Sequence, residues 1–370
     1  MLIYFVILNR IKVTIYNLIV NSFSKKISYL YLRRIFYSFT NLFDSTVQAH
    51  SGYKAATFNY TSPDSIDLSH GFNSRNIFVI QNSLIDPLTG QVFVKDFEGK
   101  HTFISESSSW DPHTSHIRLR NRDSAFNRKP LRTFKLPATV LNASPFPGSN
   151  GFYHWLIEDL PAYLRVSAFS PEVTFVAGGK LVQRCREVME VMQSKYVLDN
   201  NYVSSEFVTF AERGHEKALA HPLDLDLICE LSSRIHKPNY ELRPTQITFL
   251  KRGKLIEDNR SFDISNSNLF FYNKISFIEP EQMLLVDLIS ELSKSNTVIG
   301  FHGGNLANIV WVNNIQNCIE IVNDTMKGGI DTIRWICKVK QINYFRINFN
   351  SKTNEANLIT QILFMLDNIN

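Results

Sequence analysis

The most informative segment of the 370-residue chain reads Thr297-Val298-Ile299-Gly300-Phe301-His302-Gly303-Gly304-Asn305-Leu306-Ala307-Asn308. The apolar run at 297–301 predicts a buried strand, and residues 306–312 predict a helix that follows a glycine-rich turn. Unbonded N–H groups at the start of a helix, together with the helix dipole, attract anions. The pattern is typical of a phosphate or pyrophosphate site, and equally of an ordinary strand-to-helix turn in an α/β domain.

The turn itself supplies the candidate contacts for such an anion. Gly303 and Gly304 let the backbone come close to a ligand, because no Cβ atom stands in the way. Asn305 and Asn308 add amide donors, and His302 adds an imidazole. We therefore expect these five residues to contribute to a donor-binding site.

A second segment reads Asn150-Gly151-Phe152-Tyr153-His154-Trp155-Leu156-Ile157-Glu158-Asp159-Leu160-Pro161. On a helix His154 and Glu158 share a face, because residues four positions apart are neighbours. An imidazole next to a carboxylate can move protons, although such a pair also occurs as a structural contact under aromatic side chains. His154 and Glu158 are therefore candidate catalytic residues, with Glu158 as the base and Asp159 in reserve.

Together the two segments resemble glycosyltransferase family 61, which includes bacterial capsular-polysaccharide enzymes and eukaryotic xylosyl- and N-acetylglucosaminyl-transferases. The family's first tract, Asn-x-Tyr-His-Trp-Leu-x-Asp/Glu-x-Leu-Pro, is matched at Asn150 and at residues 153–161, with a different spacing at the Asn. Its second tract, His-Gly-x-x-Leu-x-Asn, is matched at His302, Gly303, Leu306 and Asn308. The order and separation of the tracts also agree, and the resemblance covers residues 78–322.

The resemblance implies an inverting glycosyltransferase of cell-surface or capsular polysaccharide synthesis. Such an enzyme moves a sugar from a nucleotide-diphosphate donor to a glycan or lipid-linked glycan acceptor. No Asp-x-Asp pair stands in a context typical of a metal site, so we expect catalysis without a metal ion or other cofactor. Three histidine and aspartate residues in a polar stretch, Asp111, His113 and His116, have no nearby fourth ligand and are better explained as structural or incidental.

The order of predicted elements indicates an α/β protein. Residues 77–105 alternate apolar and polar side chains around a turn at 86–90, which predicts a β-rich lead-in. From Tyr153 onward predicted helices alternate with predicted strands, and this alternation is typical of a parallel, doubly wound sheet. A connector with three prolines at 221–245 suggests a boundary between an acceptor-side domain at 46–242 and a nucleotide-sugar-binding domain at 243–370.

Two Rossmann-like domains that face a cleft form the arrangement called GT-B, and the resemblance implies it as well. The donor would then bind at the carboxyl ends of the C-terminal strands. Lys251, Arg252 and Arg260 are the candidate cations for its diphosphate, although this chain lacks the Arg-rich stretch that the family usually has after Arg252. Glu320, a carboxylate within an apolar strand, predicts either a contact with the donor ribose or an internal salt bridge.

Composition adds two further expectations. The four cysteines, Cys185, Cys229, Cys318 and Cys337, lack C-x-x-C spacing, which favours a reducing compartment without disulfides. The net charge of +5 comes from the N-terminus, where six basic residues precede the first acidic one, Asp44: Arg10, Lys12, Lys25, Lys26, Arg33 and Arg34. Residues 1–45 therefore predict a basic, aromatic arm that either holds the protein to the inner face of an anionic membrane or packs on its own surface.

Two functions remain open at this stage. The first is the glycosyltransferase, cytoplasmic or peripheral at the inner membrane face. The second is a catalytically inactive subunit that binds a sugar nucleotide or a glycan and acts as a scaffold. Nucleic acid is not an expected partner, because the excess positive charge is confined to the arm and no recognition motif accompanies it.

Overall fold

A computed structural model describes residues 44–45, 53–59, 74–87, 91–95, 101–104, 132–134, 138–140, 151–177, 183–198, 203–212, 219–236, 246–252, 275–326, 331–350 and 353–369. The chain forms two compact units, Met1–Asp44 and Ser45–Asn370. Apart from Asp44, the predicted N-terminal arm up to this division lies outside the described residues.

The strands are β1 (Asp44–Ser45), β2 (Tyr53–Asn59), β3 (Ser74–Asp86), β4 (Gln91–Lys95), β5 (His101–Ile104), β6 (Arg132–Phe134), β7 (Ala138–Val140), β8 (Thr174–Ala177), β9 (Tyr196–Leu198), β10 (Val203–Ala211), β11 (Gln246–Leu250), β12 (Ile275–Ile278), β13 (Ser295–Phe301), β14 (Asn317–Asn323) and β15 (Asn343–Phe349). The α-helices are α1 (Gly151–His154), α2 (Leu160–Phe169), α3 (Gln183–Val191), α4 (Pro222–Ile235), α5 (Leu285–Ser293), α6 (Thr332–Val339) and α7 (Glu355–Ile369). Two 3₁₀ helices, Pro280–Gln282 and Leu306–Trp311, and one π-helical turn, Trp155–Asp159, complete the described elements.

The protein is a mixed α/β protein whose C-terminal half is built on a parallel sheet, as the sequence predicts. Its five strands lie in the order β12-β11-β13-β14-β15, and each neighbouring pair is parallel. The first strand in the chain, β11, therefore has the second on one side and the third on the other. This is the order of a doubly wound sheet, in which the strand order reverses next to β11.

The apolar character of the strands explains why this sheet is interior. All seven residues of β14 are buried, and six of the seven in β13 are. A strand covered on both faces needs apolar side chains on both. One face packs against α7 through residues such as Leu358 and Ile362, and the other joins the larger core of the protein.

The sheet of the N-terminal half is mixed rather than parallel, which corrects the expectation for this region. Within Ser45–Asn370 its strands follow the order β5-β4-β3-β10-β7-β8-β9. The strands on either side of the predicted turn at 86–90, β3 and β4, do form an antiparallel pair. However, β10 pairs antiparallel with β3 on one side and parallel with β7 on the other. Alternation of helices and strands after Tyr153 could not reveal a partner strand that precedes it.

A single predicted helix at 153–167 is in fact interrupted. Between α1 and α2 the backbone widens into the π-helical turn Trp155–Asp159, in which the N–H group of Leu160 bonds to the carbonyl oxygen of Trp155. Pro161 directly follows this bond and has no N–H group, so the regular α-helical ladder cannot pass through it. Such π turns inside helices are frequent at functional sites.

One cluster of buried residues contains side chains of both halves. The same cluster contains Leu156 of the π-helical turn, Leu225 of α4 and Val310 of the second 3₁₀ helix. A hydrogen bond also links the two halves. The indole of Trp335 in α6 donates to the carbonyl oxygen of Ala220 at 2.7 Å. The division into domains at 46–242 and 243–370 stays a prediction.

Candidate active site at the end of the parallel sheet

The carboxyl ends of β11 and β13 lie side by side where the strand order reverses. Leu250 pairs with Gly300 at the end of this ladder, so Lys251 and Arg252 emerge next to the turn that begins at His302. In open α/β sheets, ligands bind in the crevice outside such a switch point. The structure therefore brings two of the predicted donor-binding cations next to the predicted anion-binding turn.

Gly303 is the residue that allows the turn to pass close to Arg252. Its φ of 141° lies in a region that residues with side chains rarely adopt. A Cβ atom built on Gly303 would lie 3.6 Å from Nη2 of Arg252. A larger side chain at this position would be strained and would occupy the space next to the guanidinium.

The segment after the turn is a 3₁₀ helix rather than the predicted α-helix. The N–H groups of Leu306, Ala307 and Asn308 each donate to the carbonyl oxygen three residues earlier, at 3.1, 3.2 and 3.2 Å. Among the described residues, no acceptor bonds the N–H groups that precede them, those of residues 303–305. The donors that the sequence predicts for an anion are thus present, although the helix behind them is shorter and tighter.

Asn305 and Asn308 hold the turn in place. Nδ2 of Asn305 donates to the backbone oxygen of Lys251 at 2.8 Å and to Oε1 of Glu281 at 2.6 Å, which ties the end of β11 to the turn. Asn308 is fully buried; its Nδ2 donates to the carbonyl oxygen of Asn305, and its Oδ1 accepts from the indole of Trp311. Both amide groups, which we expected to face a ligand, are engaged within the protein.

His302 and Glu320 form a buried pair next to the turn. Nδ1 of His302 lies 2.5 Å from Oε1 of Glu320, and the hydroxyl of Tyr344 donates to Oε2 of the same carboxylate. Glu320 is fully buried within β14. Of the two roles that the sequence left open for Glu320, the contacts of the described residues match the internal salt bridge.

His154 and Glu158 are in contact, as their spacing predicts. Nδ1 of His154 lies 3.0 Å from Oε1 of Glu158. The side chain of Glu158 is only 2% exposed, whereas that of His154 is 30% exposed. Burial raises the pKa of Glu158 to about 7, an effect that its hydrogen bond with His154 partly offsets and the charge of the half-buried Asp159 reinforces.

The two sequence segments meet in space. A Cβ atom built on Gly304 would lie 3.4 Å from the backbone nitrogen of Tyr153 and 3.5 Å from the ring of Phe152. Burial raises the pKa of the Tyr153 hydroxyl, and the carboxylates of Glu158 and Glu320 raise it further. Tyr153, the residue before His154, therefore lies against the turn, so the helical segment that carries His154 and Glu158 and the turn at 302–305 are neighbours.

Sequence reasoning missed a buried network of charged residues that acts on Glu158. The carboxylate of Asp224 in α4 accepts from Arg75 of β3 at 3.0 Å and from Arg165 of α2. The charge of Arg75 also lowers the pKa of Glu158. The residues are 149 and 59 positions away from Asp224, and no local pattern in the sequence signals their contact.

Some predicted features lie outside the described residues. These are Arg260, Asn150 and the stretch with Asp111, His113 and His116. In the part of the chain that the structure describes, no group of three or more His, Cys, Asp or Glu side chains could hold a metal ion. In that same part, each helix is too short or too polar to cross a membrane.

No protein-family model matches this chain, and no curated protein matches it significantly.

The pKa of Glu158 predicts a specific pH dependence of stability. Below about pH 4.5 the carboxyl is protonated in both the folded and the unfolded chain, whereas up to about pH 7 only the unfolded chain ionises. The free energy of unfolding should therefore fall by roughly 3 kcal/mol over this window and level off above it. Glu158→Gln removes the titration, so its profile should be flatter and its stability at about pH 8 higher than that of the parent.

Chemical denaturation at several pH values checks this prediction. Glu172→Gln is the matched control, because it removes a carboxylate whose side chain is 84% exposed. Parallel profiles for the parent and Glu158→Gln would mean that Glu158 ionises as readily in the folded chain as in the unfolded one.

Proposed function

We propose that this chain is an inverting glycosyltransferase that moves a sugar from a nucleotide-diphosphate donor to a glycan acceptor in cell-surface or capsular polysaccharide synthesis. The observation that carries the proposal is the contact between the two segments. The helical segment that carries the pair of His154 and Glu158 contacts, through Tyr153 and Phe152, the glycine turn at the switch point of a parallel sheet. Transfer of a sugar from a diphosphate needs proton removal and anion binding in one place.

The turn and the end of β11 would bind the donor. The N–H groups of residues 303–305, which no acceptor among the described residues bonds, would donate to phosphate oxygens. Arg252 lies against Gly303, and its guanidinium can bind two phosphate oxygens at once. Lys251, the first residue after β11, precedes Arg252 and adds a second positive charge. Together they would neutralise the charge that develops on the departing diphosphate.

The difference in exposure between His154 and Glu158 suggests a different role for each in removing the acceptor proton. The acceptor hydroxyl attacks the anomeric carbon while the bond from this carbon to the diphosphate oxygen breaks, and the hydroxyl proton needs a base. The sequence favours Glu158 as the base, but His154 is the more exposed member of the pair, so its ring would take the proton directly. The buried Glu158, bonded to Nδ1, would orient the ring and stabilise the positive charge that forms.

A GT-B-like arrangement of two Rossmann-like domains is part of the proposal. The donor would occupy the C-terminal domain at 243–370, and the acceptor would approach from the side of 46–242. The doubly wound order of the C-terminal sheet supports the donor half.

A screen of nucleotide sugars for thermal stabilisation tests the proposal. A ligand present at 100 times its Kd stabilises the folded chain by about 2.7 kcal/mol. We expect one class of nucleotide sugar to raise the melting temperature and then to donate its sugar to a glycan acceptor. Stabilisation without transfer to any of a panel of acceptors would favour the inactive binding subunit. No stabilisation by any nucleotide sugar would contradict both.

The basic arm leads to a separate prediction about membranes. Each basic residue close to an anionic surface contributes roughly 1 kcal/mol to binding. We therefore expect the full chain to sediment with vesicles that contain phosphatidylserine, and a variant without residues 1–40 to remain in the supernatant. Equal sedimentation of both forms would mean that the arm is not the membrane contact.

A further inference from the structure

The pair of Glu320 and His302 contains a charge that is costly to bury. Glu320 lies in the middle of the apolar strand β14 and is fully buried. A carboxylate in such surroundings needs hydrogen bonds or an opposite charge to be tolerated. Both of its oxygens are engaged, Oε1 by the ring of His302 and Oε2 by the hydroxyl of Tyr344.

The contacts leave one ring nitrogen of His302 for a ligand. Glu320 holds Nδ1, and no group among the described residues bonds to Nε2. The side chain retains 8% exposure, at the start of the turn whose N–H groups are unbonded. An imidazole that donates Nδ1–H to a carboxylate is fixed both in orientation and in tautomer.

We propose that Glu320 and Tyr344 are positioning residues that fix His302, so that its Nε2 contacts the diphosphate of the donor, and that Glu320 does not bind the ribose. The part that concerns the diphosphate rests on the proposed function. Glu320 is fully buried beside His302 and Tyr344, so a ribose hydroxyl could reach its carboxylate only if surrounding side chains moved. Tyr344 would accordingly support the site without contacting the substrate.

The surroundings of the pair contain several other titratable groups. The hydroxyl of Tyr344 and the nearby Cys318 lie on the sheet with Glu320, and the charge of Glu320, after burial and the charge of Glu158, contributes to the raised pKa of Tyr153 in α1. The guanidinium of Arg252 adjoins the turn at Gly303. Because these groups titrate as well, a pH profile would not isolate the contact between His302 and Glu320. The tautomer of His302 depends directly on that contact, so the decisive measurement is which ring nitrogen carries the proton.

Nitrogen-15 NMR of chains labelled at histidine reads the tautomer without any ligand. In the parent at alkaline pH we expect the proton of His302 on Nδ1 and a bare Nε2. In Glu320→Gln we expect the signals to shift towards a mixture of tautomers, and in Tyr344→Phe a smaller change in the same direction. A parent with the proton on Nε2, or variants with unchanged His302 signals, would overturn the positioning role.

Binding measurements separate contact with the diphosphate from contact with the ribose. The probes are UDP and GDP, with uridine and guanosine as controls that carry the ribose but no phosphate. Loss of one charge-assisted hydrogen bond corresponds to roughly a ten- to hundredfold change in Kd. We expect Glu320→Gln to weaken binding of the nucleoside diphosphate by about this factor, Tyr344→Phe to weaken it less, and nucleoside binding to remain unchanged.

Equal weakening of nucleoside and nucleoside diphosphate would show instead that Glu320 binds the ribose. Tyr344→Phe removes a single hydroxyl, so it serves as the second variant if Glu320→Gln does not fold. If no nucleotide binds the parent, the proposed function and the diphosphate contact both fail, while the tautomer measurement still decides whether Glu320 and Tyr344 position His302.

Discussion

Glu158→Gln should lower the rate of sugar transfer by about 10²- to 10⁴-fold, which is the usual cost of losing acid–base catalysis. The amide keeps the size of the carboxyl group but cannot stabilise a protonated His154 ring. His154→Ala should have an effect of similar size, because the two side chains act as a pair at 3.0 Å. Combining the two substitutions should therefore cost little more than either alone.

Stability separates this catalytic role from a structural one. Loss of a purely structural pair would lower the melting temperature and leave the turnover of folded enzyme nearly unchanged. We expect the opposite for Glu158→Gln, since burial disfavours the charge that this substitution removes. Transfer rate and melting temperature are measured together, with Glu172→Gln as the control for loss of a surface carboxylate.

Asp159→Asn distinguishes between the neighbouring carboxylates. Asp159 raises the pKa of Glu158, so its loss should change the pH at which transfer is fastest more than the maximal rate. A loss of rate in Asp159→Asn that equals the loss expected for Glu158→Gln would mean that transfer also depends on the carboxylate of Asp159. Near-normal turnover in the Glu158 and His154 variants would remove the pair from the mechanism.

Local patterns in the sequence predict the features that depend on neighbouring residues. The buried strand β13 follows from a continuous apolar run, and the contact between His154 and Glu158 follows from helical spacing. The parallel sheet of the C-terminal half follows from the alternation of helices and strands. In each case the residues that interact, or the elements that repeat, are close together in the chain.

Features formed by distant residues could not be predicted in the same way. Asp224 meets Arg75 across 149 positions, and β10 pairs with β3, which lies far earlier in the chain. In the sequence Tyr344 does not stand out as a residue of the site, because a tyrosine in a strand is usually explained by packing. Only the folded chain reveals that its hydroxyl bonds to Glu320.

The sequence also could not predict backbone details within elements that it otherwise placed correctly. The run after Gly304 has the apolar residues of a helix, but short helical segments adopt either α or 3₁₀ geometry. Asn308 bonds back to Asn305, and the side chains that were expected to face a ligand instead close the turn. The proposed anion contact therefore depends on the backbone N–H groups of the turn rather than on the asparagine amides.

Gly303→Val should abolish binding of nucleoside diphosphates. The valine would require a φ near 141° and would place its branched side chain against Arg252, so the turn must move away from the ligand. Such strain costs about 1–3 kcal/mol, which a folded domain of ordinary stability tolerates. Loss of two or more charge-assisted hydrogen bonds corresponds to an increase in Kd of at least about a hundredfold.

Gly304→Ala is the matched control for this substitution. Its Cβ atom would make contacts of 3.4 Å or longer with Tyr153 and Phe152, at the edge of ordinary packing, and Gly304 does not adopt a positive φ. We therefore expect a small loss of affinity, far below that of Gly303→Val. Circular dichroism of both variants verifies that the fold is retained.

Calorimetric titration of UDP and GDP into the parent and the two glycine variants tests the central claim, that a nucleotide donor binds at the switch point of the parallel sheet. The predicted result is measurable binding of one nucleoside diphosphate to the parent, a modest loss in Gly304→Ala and no detectable binding in Gly303→Val. Equal affinity of the parent and Gly303→Val for that ligand, with both chains folded, would contradict the claim, because the ligand would then bind elsewhere.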